Sequence, residues 1–349
     1  METPEQPVQA LVGFQILQGN FHFKDNGKIT DTITANSNYF SKNMNILFAP
    51  LQGYTDLYYQ KLHATIYGGA DCYYTPFIRI EKEKPRRQDM VRLQAIKAEK
   101  IPVVPQIIFR SSEEFGMLVN AVREIGFSKI DLNLGCPYPM QTGKGRGAAM
   151  IVNIPEMKLV SKRIIADETC SYSLKMRIGW HSENEWENII PILNDTPLSH
   201  ITVHPRIARQ MYSGDLFTDQ FSRFLDASRN PVIWNGDIRN TDDIRSIESK
   251  FPELTAVMIG RGLLARPSLV AEYKSGTEWN RDQRIEKLTA FHDQLLGIYS
   301  NHLCGDTQIL QKIKPFWDYL EWEIGKRTAK AIRKATTMQK YAAATTQIH

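Results

Sequence analysis

The sequence is poor in cysteine, with only Cys72, Cys136, Cys170 and Cys304 in 349 residues. They are widely spaced, without a Cys-x-x-Cys pair or a neighbouring histidine at ligand spacing, which excludes a sequence-local zinc site and a disulfide framework. No run approaches the roughly 18 uninterrupted apolar residues of a membrane span. A basic leader is missing too: the short apolar patch at 10–17 is preceded by Glu2 and Glu5, where a secretory signal carries positive charge. These absences point to a chain that works in the reducing cytoplasm, without metal or membrane. Charge is not extreme in either direction, and a net +5 permits a polyanionic partner without requiring one.

What is present is enough apolar material for a large core, 42% of the chain. The first 43 residues are polar and irregular, and Met44 directly precedes the first strong strand, NILFAP, so the fold is expected to begin there with 1–43 as an extension. Eight apolar or β-branched runs follow: ILFAP, CYYT, VVPQI, KIDLN, SLKM, HITVH, PVIWN and AVMIG. Each is succeeded by a polar turn and a helical pattern, which predicts a parallel (β/α)8 barrel over residues 44–280. An open doubly wound sheet alternates in the same way, but here every strand end carries a polar or backbone-exposing residue, as the mouth of a barrel requires.

The helix expected at 111–125 starts with the capping signature SSEE and turns Phe115, Leu118, Val119 and Val122 to one side. The basic loop IRIEKEKPRRQD reads as a solvated face. Residues 281–349 show helical spacing without a strand, through Leu288, Phe291, Leu295 and Tyr299 and then Ile309, Ile313, Phe316 and Leu320, so a small helical bundle is expected. From Lys326 onward the chain holds Arg327, Lys330, Arg333, Lys334 and Lys340 and no acid, a one-signed face that suits a phosphate backbone.

The strand ends supply the chemistry. WNGDI and MIGRGLL are glycine turns after the seventh and eighth strands, where barrels commonly bind phosphate, and Arg261 would add a permanent cation. Lys175 at the fifth strand is costly in a barrel mouth unless it meets an anion or an electron-rich ligand, although a strand-end lysine can also snorkel to solvent. His204 at the sixth reads as a structural histidine when taken alone, and its register with Lys175 raises it to a site candidate. Gln106 and Asn133 are neutral amides suited to the edge of a heterocycle. A phosphate side and a heterocycle side describe a mononucleotide-like ligand, and no Gly-x-Gly-x-x-Gly follows the first strand. Cys136, between Gly135 and Pro137, is displayed in a turn as nucleophile, acid or inert thiol. With no histidine near in sequence to ionise it, the acid is favoured.

The ordered series APLQGYTD, VPQI, DLNLGCP, LKMRIGW, VHPR, NGDI and MIGRG resembles the tRNA-dihydrouridine synthases, with KIKPFWDYL in the tail most like the bacterial branch acting on uridine 16. The resemblance implies flavin mononucleotide (FMN) over a barrel mouth, reduced by NADPH, and Cys136 protonating C5 of a uracil in tRNA. It further implies that Pro50, Leu51, Gln106, Lys175, His204, Asn235, Gly236, Asp237, Gly260 and Arg261 hold the cofactor, with Asp237 engaged by a ribityl hydroxyl or a structural bond rather than by phosphate. Asn133 would read the base, while Arg206, Arg209, Lys330, Arg333 and Lys334 would grip RNA in a monomeric enzyme. The glycines 143, 145 and 147 would form a mobile loop carrying Cys136. The sequence departs from the family pattern at Leu51, at Pro76–Phe77 and at Pro205. The competing readings are a flavin barrel acting on a small molecule, as in dihydroorotate-type dehydrogenases, and a catalytically silent RNA-binding barrel.

Overall fold

A computed structural model describes residues 44–99 and 101–348. The expected extension at 1–43 lies outside the described residues. The strands are β1 (Asn45–Phe48), β2 (Cys72–Tyr74), β3 (Ile78–Glu81), β4 (Lys84–Pro85), β5 (Val103–Val104), β6 (Gln106–Ile108), β7 (Lys129–Leu134), β8 (Ser171–Gly179), β9 (Leu198–Ile207), β10 (Val232–Asn235) and β11 (Ala256–Ile259). β5 and β6 are one extended segment interrupted by Pro105, which has no N–H to donate to a ladder. β2 pairs in parallel with the first part and β7 with the second, while β7–β8–β9–β10–β11–β1–β2 pair in parallel in turn, so the pairings return to their starting strand. All eight expected strands are present, in an α/β barrel.

Side chains alternate along the short strands. In β1, Ile46 and Phe48 face the helical shell while Leu47 joins Ala49, Tyr74, Val104, Ile233, Ala256 and Met258 inside. The shell helices follow their capping signals. Ser111 accepts from the Glu114 N–H to start the helix Ser112–Glu124, which buries the four apolar residues expected of it, and Asn153 caps Ile154–Ile165, with Pro155 in its first turn.

The loop after β2 is a correction. IRIEKEKP is the hairpin β3–β4, with β3 parallel to β6, and Ile78 and Ile80 are buried while the charges alternate outward. It is therefore a half-buried edge, not only a solvated face.

Beyond β11 the chain is helical. Arg281–His302 buries Leu288, Phe291, Leu295 and Tyr299, and Ile309, Ile313, Phe316 and Leu320 are also buried. Residues from Met44 onward form a single compact unit, and these helices are tied to the first barrel helix, Leu57–Ile66. Asp56, its N-cap, accepts from Tyr299 Oη at 2.8 Å and pairs with Lys312 at 2.7 Å. The Tyr59 ring lies 4.8 Å from that of Phe291. Among the described residues, no helix is long and apolar enough to cross a membrane.

Candidate active site

A cavity of about 810 Å³ opens where all eight barrel strands end. It is lined by Pro50, Leu51, Gln106, Asn133, Cys136, Lys175, His204, Asn235, Gly236, Asp237, Gly260 and Arg261, so these sequence-predicted residues converge at one place. Parallel strands bring them together because all their C-terminal parts and the loops that follow open on the same face: Gln106, Asn133, Lys175, His204 and Asn235 come from the strands, and the others from the loops after them or the start of the next helix.

Cys136 is 8% exposed, and its backbone N–H donates to Asn133 Oδ1 at 2.8 Å. Burial pushes the thiol up, while a hydrogen bond from Tyr138 and the charges of Arg177 and Lys175 pull it partly back. A raised thiol stays protonated at neutral pH, as an acid must.

Lys175 is half-buried and donates to Asn235 Oδ1 at 2.6 Å. Burial, and next the Arg177 charge, bring its ammonium down to about 8. His204 is held well below its ordinary value by burial and by the cations around it, so its imidazole is neutral. Its Nδ1 is buried without a hydrogen-bond partner among the described residues. A register shift in the β8–β9 ladder after the Arg177–His204 pair sits beside these groups, where such irregularities re-aim side chains.

Several predicted roles change. Asn133 and Gln106 spend most of their amides inside the protein. Gln106 Nε2 donates to Asp131 at 2.7 Å, its Oε1 accepts from Asn133 Nδ2 at 2.7 Å, and Asn133 Oδ1 also takes the Gly135 N–H at 3.1 Å. Arg206 does not line the cavity. It is 3% exposed, binds both carboxylate oxygens of Asp237 and donates twice to Gly214 O. Asp237 is thus a structural bridge, with its carboxyl lowered first by the hydrogen bond from Arg206, and its second partner is Arg261 at 3.2 Å.

Arg209 is exposed after β9, and Lys330, Arg333 and Lys334 are exposed on the helix Lys326–Lys334, away from the cavity lining. Arg333 pairs with Glu321 at 2.8 Å.

The glycine loop is packed in its second half, whereas Gly143 and Lys144 are exposed and Gly145 is half-buried. Arg146 is buried, with Nε and Nη2 on Glu114 at 3.1 and 2.8 Å and a further bond to Ile80 O, and residues 147–151 are buried in a 3-10 turn. Its front edge is open, with Tyr138 50% and Met140 77% exposed.

Sequence reasoning passed over Tyr212 and the role of Arg177. Arg177 is buried and donates to the carbonyls of Gly135, Ile207 and Met211 at 3.0, 3.1 and 2.7 Å, which locks the Cys136 turn to the loop after β9. The Tyr212 ring stands between the guanidinium groups of Arg177, at 5.4 Å, and Arg261, at 4.3 Å. The aromatic in MYSG, so soon after a strand end, was the available signal. At β11, Gly262 can only be glycine, because a Cβ there would collide with the carbonyl of Ile238 in the loop after β10. Among the described residues, no cluster of His, Cys, Asp and Glu could hold a metal ion.

A family model described as "Dihydrouridine synthase (Dus)" matches residues 47–347. The chain is 30% identical over 188 residues to "tRNA-dihydrouridine synthase B" of Shewanella oneidensis, covering 50% of this chain and 58% of that protein. It is 28% identical to "tRNA-dihydrouridine(16) synthase" of Pseudomonas putida, covering 72% and 79%. Among solved structures, morphinone reductase aligns with a TM-score of 0.46 at 10% identity, over 68% of this chain and 87% of that one.

Proposed function

Because the chain belongs to the dihydrouridine synthase family, we propose that it is a flavin-dependent enzyme that reduces the C5–C6 double bond of a uridine in tRNA. The observation that carries this reading is a buried, protonated thiol, Cys136, at the lip of a cavity that also holds Lys175 and a neutral His204.

The cavity suits FMN on its own chemistry. His204 Nδ1 is a buried polar atom without a hydrogen-bond partner among the described residues, and Lys175 is a desolvated cation that donates to a neutral amide, Asn235. Both are relieved by an acceptor-rich ring edge. Pro50, Leu51 and Met258 supply apolar contact, while Asn235, Gly236, Gly260 and Arg261 line the part suited to a ribityl phosphate. Asp237 takes part through Arg261, and Gln106 through the face it turns to the cavity. When bound and reduced by NADPH, FMN supplies hydride for C6 of the uracil.

The residues of the chain do the rest. Lys175 would hold the polar edge of a bound flavin with its positive charge. Cys136 holds a proton at Sγ and delivers it to C5, while Asn133 keeps the thiol's backbone in its turn. A base reaches this depth only by leaving its stack. Residues 281–348 carry the exposed Lys330, Arg333 and Lys334, and with Arg209 they are assigned to the RNA backbone of a monomeric, cytoplasmic enzyme.

The test has two readouts. Purified protein should be yellow and release FMN on denaturation, and Cys136→Ala should keep the flavin yet lose turnover by about 10²–10⁴-fold. Full turnover by that variant refutes the acid. Mapping dihydrouridine in tRNA from cells lacking the gene identifies the position, and an unchanged map refutes the activity.

A further inference from the structure

The barrel interior holds a carboxylate that the chemistry above leaves unused. Asp131 is fully buried on β7, five residues before Cys136. Its Oδ1 accepts from Ser173 Oγ at 2.6 Å and its Oδ2 from Gln106 Nε2 at 2.7 Å. Gln106 Oε1 accepts from Asn133 Nδ2 at 2.7 Å, and Asn133 Oδ1 accepts the Cys136 N–H at 2.8 Å. The series runs from β8 through β7 and β6 and back to the end of β7.

Every link in it has a direction. An ionised carboxylate only accepts, so Gln106 must turn its nitrogen to Asp131 and its oxygen to Asn133. Asn133 must then turn its nitrogen to Gln106 and its oxygen to the two N–H groups of the turn. Reversing either amide sets like against like in a buried place, where an unmade hydrogen bond is most costly. Burial brings the Asp131 carboxyl up to about 6, against the hydrogen bonds of Ser173 and Gln106 and the Lys175 charge, so it is largely ionised above neutrality.

We propose that Asp131 is a positioning residue for Cys136: its acceptor oxygen, acting through Gln106 and Asn133, fixes the polarity of the turn that displays the thiol. What matters at this position is an oxygen that accepts, not the charge as such. Asparagine can supply one, because Ser173 Oγ is able to accept from the new N–H; leucine cannot. The consequence for turnover rests on Cys136 being the proton donor, whereas the consequence for the thiol's placement does not.

The experiment compares Asp131→Leu with Asp131→Asn in the flavin-loaded protein, following iodoacetamide alkylation of Cys136 by peptide mass spectrometry alongside kcat and KM for tRNA. Asp131→Leu should change the alkylation rate by about tenfold and lower kcat by about 10²-fold with KM little moved, since a misplacement of about 1 Å costs that much. Asp131→Asn should recover most of both losses. Wild-type alkylation in Asp131→Leu overturns the proposal, and so does equal damage in the two variants, which would make charge the cause. Altered alkylation with unaltered turnover leaves the relay standing and removes the proton-donor role. If Asp131→Leu does not fold, Asn133→Asp sets an acceptor against Gln106 Oε1 at nearly constant volume. It must shift Cys136 alkylation, and adding Asp131→Asn, which offers an N–H from the far end, must restore it; otherwise the proposal falls.

Discussion

Gly147→Ala should damage this protein far more than a one-carbon change suggests. Gly147 has φ +62°, and a Cβ there would lie 2.6 Å from Cys136 O and 2.9 Å from Cys136 Cβ. The left-handed backbone costs a non-glycine residue about 1–2 kcal/mol. The contact adds about 1–3 kcal/mol, as overpacking of a closed core does, because a backbone carbonyl cannot swing aside. Gly276 separates the two contributions: it has φ +69° and nothing within 4 Å of a built Cβ, so Gly276→Ala measures the backbone cost alone, about 1–2 kcal/mol. At about 2 °C per kcal/mol, Gly276→Ala should lower Tm by about 2–4 °C and Gly147→Ala by about 4–10 °C. Since the displaced atom belongs to Cys136, Gly147→Ala should also reduce kcat by about 10²-fold, and Gly276→Ala should not. Equal Tm losses in the two variants would refute the packing argument.

Lys175 makes stability depend on pH with a definite sign. Its ammonium falls from 10.5 to about 8 on folding, so the folded state binds fewer protons in between. Ligand-free protein should gain stability as pH rises from about 8 to about 10.5, and Lys175→Met should flatten that rise in a pH series of unfolding curves. Arg206→Ala leaves the partly buried Asp237 to Arg261 alone and should cost about 1–3 kcal/mol in denaturant unfolding, with Arg206→Lys recovering only part, because one ammonium cannot replace a bidentate guanidinium. Neutralising Lys330, Arg333 and Lys334 together should weaken tRNA binding and flatten the plot of log K against log salt by about 2–3 units if each meets one phosphate. Filter binding at several salt concentrations checks this, and an unchanged slope rules out the assignment.

The strands were legible because each is an apolar run ended by glycine, proline or an amide, and a parallel strand covered on both faces needs such a run. Cavity residues next to those ends were legible for the same reason, since topology alone carries them to one face. Partnership was not. Arg206 looked like an RNA contact because sequence displays its charge and hides its burial, and its partner Asp237 lies 31 residues away. The amide of Asn133 was visible in the sequence, while its engagement by Gln106, from another strand, was not. The β3–β4 hairpin was missed although Ile-Arg-Ile-Glu alternates with period two, because the lysines and glutamates after it dominate the composition. The glycines of the Cys136 loop suggested motion, yet Gly147 serves close approach, a distinction only a neighbour's coordinates can make.

Asp56 joins two parts of this chain that are usually pictured as separable. It caps the helix following Pro50 and Leu51, and the same carboxylate receives Tyr299 and Lys312 from the helices beyond the barrel. A chimera that grafts a relative's C-terminal helices onto this barrel therefore inherits half of a joint. Its crossover has to include residues 54–59 as well as everything from 281 onward, or the wall of the cavity loses its brace along with the foreign tail.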